Sequence, residues 1–298
     1  MKTSLIWLKA TRPKTLPLAV GAILLGSFLA AYEYSFSTPV LILALFTAIL
    51  LQIFSNLAND YGDFIKGTDQ TAHRADRALV AGDITPVKMK YALWIVGLGA
   101  FFSGITLLAI AFKGINTNFF IWVLIGITAI GMARNYTIGK FAFGYKGIGD
   151  AMVFVYFGPV AVCGTYFLMV KNVPNLVWIP AIAFGLLCVA VLNINNLRDI
   201  ETDRLSGKKT IALRLGHKRA IWYQYLLIGT ALMFFIAFAR VSPTPNDQYV
   251  PIIFGALYYL VCSRLKNAIE RSAYDLALKR VAILNLLLVI VFGIIWLA

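Results

Sequence analysis

Nine apolar runs, at residues 15–32, 40–60, 91–112, 117–135, 149–170, 177–196, 221–239, 249–267 and 279–297, divide this chain at membrane-span intervals. A hydrocarbon core about 30 Å thick is crossed by roughly 20 apolar residues of helix. Within it every backbone N–H and C=O must be paired inside the protein, which leaves helices or closed barrels. The runs lack the two-residue alternation of barrel strands, so they predict an all-α, polytopic bundle of about nine transmembrane helices. With 60% apolar and 13% charged residues and a mean hydropathy of +0.79, a soluble globular fold is excluded. One membrane domain over residues 1–298 is expected.

Lysine and arginine set the expected topology. With the N-terminus in the cytoplasm, all but Lys113, Lys171 and Arg240 of the 27 basic residues fall on the cytoplasmic side. That asymmetry is the positive-inside pattern, and nine spans place the C-terminus on the opposite face. The net charge of +14 is thereby largely explained by topology and by attraction to anionic lipid, not by nucleic acid. The run from Thr15 is span-length with no small-residue cleavage site, so it reads as a helix and not as a secretory leader. Cys163, Cys188 and Cys262 fall inside spans without metal-ligand spacing and read as packing residues; His73 and His217 read as solvated loop residues.

The acidic residues are distributed very differently. Of 13 in the chain, eight fall in two neighbourhoods, around Asn56-Leu-Ala-Asn59-Asp60-Tyr-Gly-Asp63 and around Asn195-Asn196-Leu-Arg198-Asp199-Ile-Glu-Thr-Asp203. An ionised carboxylate at hydrocarbon depth costs roughly 2.5–3.5 kcal/mol, so a group of them calls for compensation by bound cations. Asn56, Asn59, Asp60 and Asp63 follow i, i+3, i+4, i+7 spacing and share one helix stripe; Asn195, Asn196, Asp199 and Asp203, at i, i+1, i+4 and i+8, are expected to form a second stripe at the end of the sixth run. Mg²⁺ takes oxygen ligands, keeps some of its water, and is held by one or two carboxylates plus substrate phosphates. Two such stripes suit two ions on one diphosphate. Solvated helix-end charges are the blander reading.

Asp60 and Asp199 lie 139 residues apart, the length of four helices and their loops. Spans one to four and five to eight could therefore form a pseudo-repeat, with span nine appended, each delivering a metal-binding helix end. Unrelated spacing is the alternative.

With Lys66, Gly67 and Asp69 after the first stripe and Gly207-Lys208-Lys209-Thr210 after the second, the two segments resemble the signatures of UbiA-type intramembrane prenyltransferases. The chain is most similar to the branch acting on 1,4-dihydroxy-2-naphthoate in menaquinone biosynthesis. Further matching segments are Arg12-Pro13-Lys14-Thr15-Leu16, Tyr145-Lys146-Gly147-Ile148-Gly149-Asp150 and Ala212-Leu213-Arg214-Leu215-Gly216. Where many members carry an Asp four residues after the second acid of the first motif, this chain has Gly67, as in the naphthoate branch. The role of Asp69 stays open.

The resemblance implies a helix bundle around a cavity open to the bilayer, with Mg²⁺ as cofactor and polyprenyl diphosphate and the naphthoate as substrates. It implies metal ligation by Asn59, Asp60, Asp63, Asp199 and Asp203. Arg12, Lys66, Arg198 and Lys208 are the candidate direct diphosphate contacts, with Lys66 and Arg198 assisting ionisation, and Lys14, Asn56, Asp69 and Asn195 are further candidate substrate-binding residues. Asn135 and Tyr136 are candidates for the acceptor side. Asp150 opens the fifth run behind a Gly-rich turn and has two readings: a helix cap, or the residue that orients or deprotonates the acceptor hydroxyl. The implied products are demethylmenaquinone, CO₂ and diphosphate, in a bacterial inner membrane.

The alternatives are a UbiA-type enzyme with another acceptor, such as 4-hydroxybenzoate, homogentisate or haem, and a membrane transporter. A transporter would place its charges near mid-bilayer, whereas these lie at one face. A CDP-alcohol phosphotransferase would require one continuous aspartate motif that this chain does not contain.

Overall fold

A computed structural model describes residues 3–67, 77–139, 142–241 and 247–297, so Asp69 and His73 lie outside the described residues. Among the described residues the regular structure is helical: α1 (Thr3–Ala10), α2 (Leu16–Tyr32), α3 (Thr38–Ile65), α4 (Pro86–Phe112), α5 (Thr117–Asn135), α6 (Gly149–Val155), α7 (Gly164–Val170), α8 (Asn175–Arg198), α9 (Ile200–Leu205), α10 (Ile211–Val241), α11 (Tyr249–Cys262) and α12 (Arg271–Leu297). A π-helical stretch, Tyr156–Cys163, joins α6 to α7 around Pro159. A wider turn accommodates a proline that cannot donate to the α-helical ladder.

Among the described residues eight helical stretches are long and apolar enough to cross a membrane, the architecture of an integral membrane protein. The eighth predicted run is occupied by α11, which has 14 residues and gives way to a 3₁₀ turn at Ser263–Asn267. It stops there because Arg264 and Lys266 end the apolar stretch. Other helices outrun their apolar cores. At about 1.5 Å per residue the 28 residues of α3 exceed a 30 Å hydrocarbon layer by roughly eight residues. Local signals set the ends: Thr85 accepts from the Lys88 N–H with Pro86 at the first helical position, and Asn116 Oδ1 accepts from Phe119 N–H at 3.0 Å.

The helices fall into two compact units. The first comprises residues 1–16, 42–149 and 201–210, and therefore includes most of α3, α4, α5 and the short α9. Its core is built from Phe54, Leu57 and Ala58 of α3 against Leu79, Ile84, Met89 and Leu93, with Ile6 and Ala10.

The second unit comprises residues 17–41, 150–200 and 211–298. Its centre is α8, with 72% of its apolar window buried, against 6% for α5 in the first unit. Gly158 and Gly185 let the π-helical stretch approach α8 closely: a Cβ at Gly158 would sit 2.6 Å from Ala181 O. Amides pin α8 to its neighbours, Asn193 donating to Gln224 Oε1 at 2.8 Å and Asn285 donating to Leu187 O at 3.1 Å. The first-span helix α2 packs in this unit. Grouping by contact thus differs from the two quartets of the repeat hypothesis, which rests on sequence spacing alone.

Candidate active site

In the first unit the Asn/Asp stripe of α3 meets three cations. Asp60 and Asp63 are buried, 5% and 3% exposed, and Asn59 is half-buried beside them. Arg12 forms an ion pair and hydrogen bond with Asp60. To do so Arg12 adopts a left-handed backbone (φ 50°, ψ 66°) at the start of the 3₁₀ turn Pro13–Thr15, which also contains Lys14. A non-glycine residue in that region costs of order 1 kcal/mol or more, a strain typical of functional positions. Asn56 anchors the same segment, its Nδ2 donating to Thr11 O at 2.8 Å and Thr15 Oγ1 at 3.0 Å.

Arg77 places Nη1 3.1 Å from Asp63 Oδ2 and 3.5 Å from Asp60 Oδ1. Lys208, from the tail of the second motif, places Nζ 3.2 Å from Asp63 Oδ1 and 3.7 Å from Asp203 Oδ1. Tyr145 donates its hydroxyl to Asp63 Oδ1 at 2.7 Å, and its ring lies under two ammonium groups, Lys66 at 3.9 Å and Lys208 at 4.8 Å. Lys66 is held below the usual lysine range, first by desolvation and further by the charge of Lys208, against the opposing pull of Asp63. Gly62 makes room at the stripe: a Cβ there would meet Thr137 Oγ1 at 2.6 Å, and Thr137 donates to Ala58 O at 2.9 Å.

The second unit holds the other half of the second motif. Arg198 grips Asp199 with two nitrogens, Nη2 to Oδ2 at 2.8 Å and Nε to Oδ1 at 3.0 Å. It also donates to Asn195 Oδ1 at 2.8 Å and to Asp275 Oδ1 at 2.6 Å. Arg271 adds a further donor to Asp199 Oδ1 at 2.9 Å. Asp150 is buried in this unit, and the Tyr223 hydroxyl donates to its Oδ2 at 3.1 Å. His217 is not merely solvated: its Nε2 lies 2.7 Å from the Tyr274 hydroxyl, itself a donor to Ala268 O, at the Gly216 kink of α10.

The first unit thus gathers Arg12, Asn56, Asn59, Asp60, Asp63, Lys66, Asp203 and Lys208; the second gathers Asn195, Arg198 and Asp199, with Asp150 paired to Tyr223. Asn135 accepts from Arg134 at 3.1 Å. Tyr136 underlies the 143–149 turn, edge-on to Phe143 at 5.4 Å, and its hydroxyl would meet a Cβ on Gly149 at 2.9 Å. Sequence reasoning missed Arg77, Tyr223, Arg271 and Asp275.

The donor set for a cation is all oxygen, as Mg²⁺ prefers. Among the described residues no three acidic, His or Cys side chains converge into a closed cage. A divalent ion would be held here by one or two carboxylates and completed by substrate phosphates and water, which the surrounding Arg and Lys side chains could also bind.

The UbiA prenyltransferase family matches residues 19–284. A 1,4-dihydroxy-2-naphthoate octaprenyltransferase from Haemophilus influenzae is 38% identical over 297 residues, covering 97% of this chain and 94% of that protein. One from Escherichia coli strain K12 is 44% identical, covering 76% and 74%. Among solved structures, a UbiA homologue from Aeropyrum pernix K1 superimposes with a TM-score of 0.68 at 20% identity, covering 95% of this chain and 97% of that one. A UbiA homologue from Archaeoglobus fulgidus bound to GPP and Mg²⁺ gives 0.63 at 17% identity, covering 98% and 99%.

Proposed function

Because the chain belongs to the UbiA prenyltransferase family, we propose that it transfers a polyprenyl group from polyprenyl diphosphate to 1,4-dihydroxy-2-naphthoate, releasing diphosphate and CO₂ and giving demethylmenaquinol, the hydroquinone form of demethylmenaquinone. The observation that carries this reading is the cluster of Asp60 and Asp63 with Arg12, Arg77 and Lys208, in a chain similar over nearly its whole length to a naphthoate octaprenyltransferase. Acid and base in that number at one helix end suit an ion carrying a polyanion.

Asn59, Asp60, Asp63, Asp199 and Asp203 are the proposed metal ligands, in keeping with the Mg²⁺ of the Archaeoglobus homologue. Mg²⁺, when bound, supplies positive charge against the negative charge that develops on the leaving diphosphate. Arg12, Lys14, Lys66, Arg77, Asn195, Arg198 and Lys208 bind the diphosphate oxygens, with guanidinium groups suited to bidentate contact and ammonium groups acting as point charges, while Asn56, its two amide donors on Thr11 and Thr15, holds the Arg12 segment in place. As the allylic C–O bond breaks, its electron pair leaves with the diphosphate, and these cations are aimed where that charge grows.

Asp150, held by Tyr223, takes the acceptor hydroxyl proton or orients that hydroxyl, enriching the ring carbon that forms the new C–C bond. Loss of the carboxylate from that carbon as CO₂ restores the aromatic ring. Asn135 and Tyr136 flank the acceptor in this reading. The enzyme is placed in a bacterial cytoplasmic membrane with its N-terminus and acidic motifs facing the cytoplasm, as the basic residues favour.

Purified protein incubated with Mg²⁺, labelled polyprenyl diphosphate and a panel of acceptors tests the assignment. Prenylated, decarboxylated product from the naphthoate is expected. Preferential prenylation of 4-hydroxybenzoate or homogentisate would overturn the acceptor.

A further inference from the structure

The first turn of α12 presents Arg271 and Asp275, four residues apart and so on one face, to the Arg198–Asp199 pair at the end of α8. Each takes the partner of opposite charge: Arg271 Nη2 lies 2.9 Å from Asp199 Oδ1, and Arg198 Nη1 lies 2.6 Å from Asp275 Oδ1. With Arg198 also on Asp199 at 2.8 Å, the four groups close into a chain of alternating charge. Asp199, only 3% exposed, receives N–H donors from two different helices.

We propose that Arg271 is a counter-ion that positions Asp199 and couples its cation affinity to the arrival of the diphosphate. The inference rests on the reading of Asp199 as a metal ligand. A divalent cation approaching Asp199 meets the fixed positive charge of Arg271 a few ångströms away, and like charges at that range repel. A diphosphate changes the sign of the problem. Its oxygens give Arg271 an alternative anionic partner, and its negative charge relieves the repulsion between guanidinium and metal. Binding of either ligand then favours the other, which discourages capture of a cation without substrate. Asp275 has the complementary task of holding the Arg198 guanidinium in line with Asp199.

The full-length protein in detergent tests this without turnover. Mn²⁺ binding is followed by electron paramagnetic resonance of the free ion, and binding of geranyl thiolodiphosphate at saturating Mn²⁺ by calorimetry. In Arg271→Gln, Mn²⁺ affinity without diphosphate should rise, on the order of tenfold for a typical coupling, while thiolodiphosphate affinity falls. Arg271→Lys should keep wild-type behaviour, and Asp275→Asn should lower Mn²⁺ affinity. Local structural damage would lower cation affinity in either variant, so the rise is the distinguishing sign. Unchanged or weaker Mn²⁺ binding in Arg271→Gln, with wild type binding normally, overturns the inference alone. Failure of wild type to bind Mn²⁺ even with the thiolodiphosphate overturns the metal reading of Asp199, and the inference with it.

Discussion

Lys208 Nζ lies 3.2 Å from Asp63 Oδ1 although 145 residues separate the two in sequence. The same ammonium is 3.7 Å from Asp203 Oδ1, so one lysine is shared by a carboxylate of the first motif and a carboxylate of the second. Both acids are 3% exposed. Two buried carboxylates facing one cation would be destabilising without further positive charge, which Arg77 supplies at Asp63.

The first expectation concerns those carboxylates. An amide lacks the negative charge of a carboxylate and cannot replace it against Mg²⁺, so Asp60→Asn, Asp199→Asn and Asp203→Asn should each abolish turnover while the protein remains inserted and folded. EDTA should do the same to wild type, with Mg²⁺ restoring it. Near-normal rates in all three variants would end the two-motif account.

Cations should divide by position. Arg77→Ala or Lys208→Ala removes a charge from the proposed diphosphate site, and should cost about 10²–10³ in kcat with little change in naphthoate affinity. Lys279→Ala, on the exposed side of α12, should be silent. Equal effects at all three positions would reduce the cations to topology and lipid attraction.

The first stripe was legible because helical periodicity places Asn56, Asn59, Asp60 and Asp63 on one face of α3; the second is not one stripe, because α8 ends at Arg198, Asp199 caps it with a non-helical backbone, and Asp203 lies on α9. Contacts between helices leave no such period. Arg77 follows the first stripe by fourteen residues with no helical phase linking it to Asp63, and Tyr223 reaches Asp150 from another helix. Arg271 and Asp275 have the right spacing for a common face, yet nothing in their own sequence points to the end of α8. Asn56 reads from its spacing as a ligand-facing residue; in the fold its amide also fastens the Arg12 segment, a contact decided 45 residues away.

Asp150 should betray its role through pH. Asp150→Asn should slow the chemical step while prenyl diphosphate still binds, and raising the pH should partly restore the rate by ionising the acceptor in solution. Tyr223→Phe removes the hydroxyl donated to Asp150 and should give a milder loss in kcat. If Asp150→Asn turns over normally at every pH, the residue is a helix cap.

Gly62 tests how closely the first unit is packed around its acids. Gly62→Ala places a Cβ 2.6 Å from Thr137 Oγ1 and 2.9 Å from Thr137 C, an overpacking that should cost about 1–3 kcal/mol. Thermal unfolding in detergent should show a lowered Tm, with activity reduced because Thr137 also donates to Asn59 Oδ1 at 3.3 Å. An unchanged Tm would mean that this contact yields freely.

The most direct measurement uses 1,4-dihydroxy-2-naphthoate labelled in its carboxyl group, with polyprenyl diphosphate, Mg²⁺ and the purified protein. Labelled CO₂ should appear in one-to-one proportion with demethylmenaquinol, and neither should form without Mg²⁺ or in Asp60→Asn. A prenylated product that retains the label, or product formation that persists in EDTA, would contradict the account.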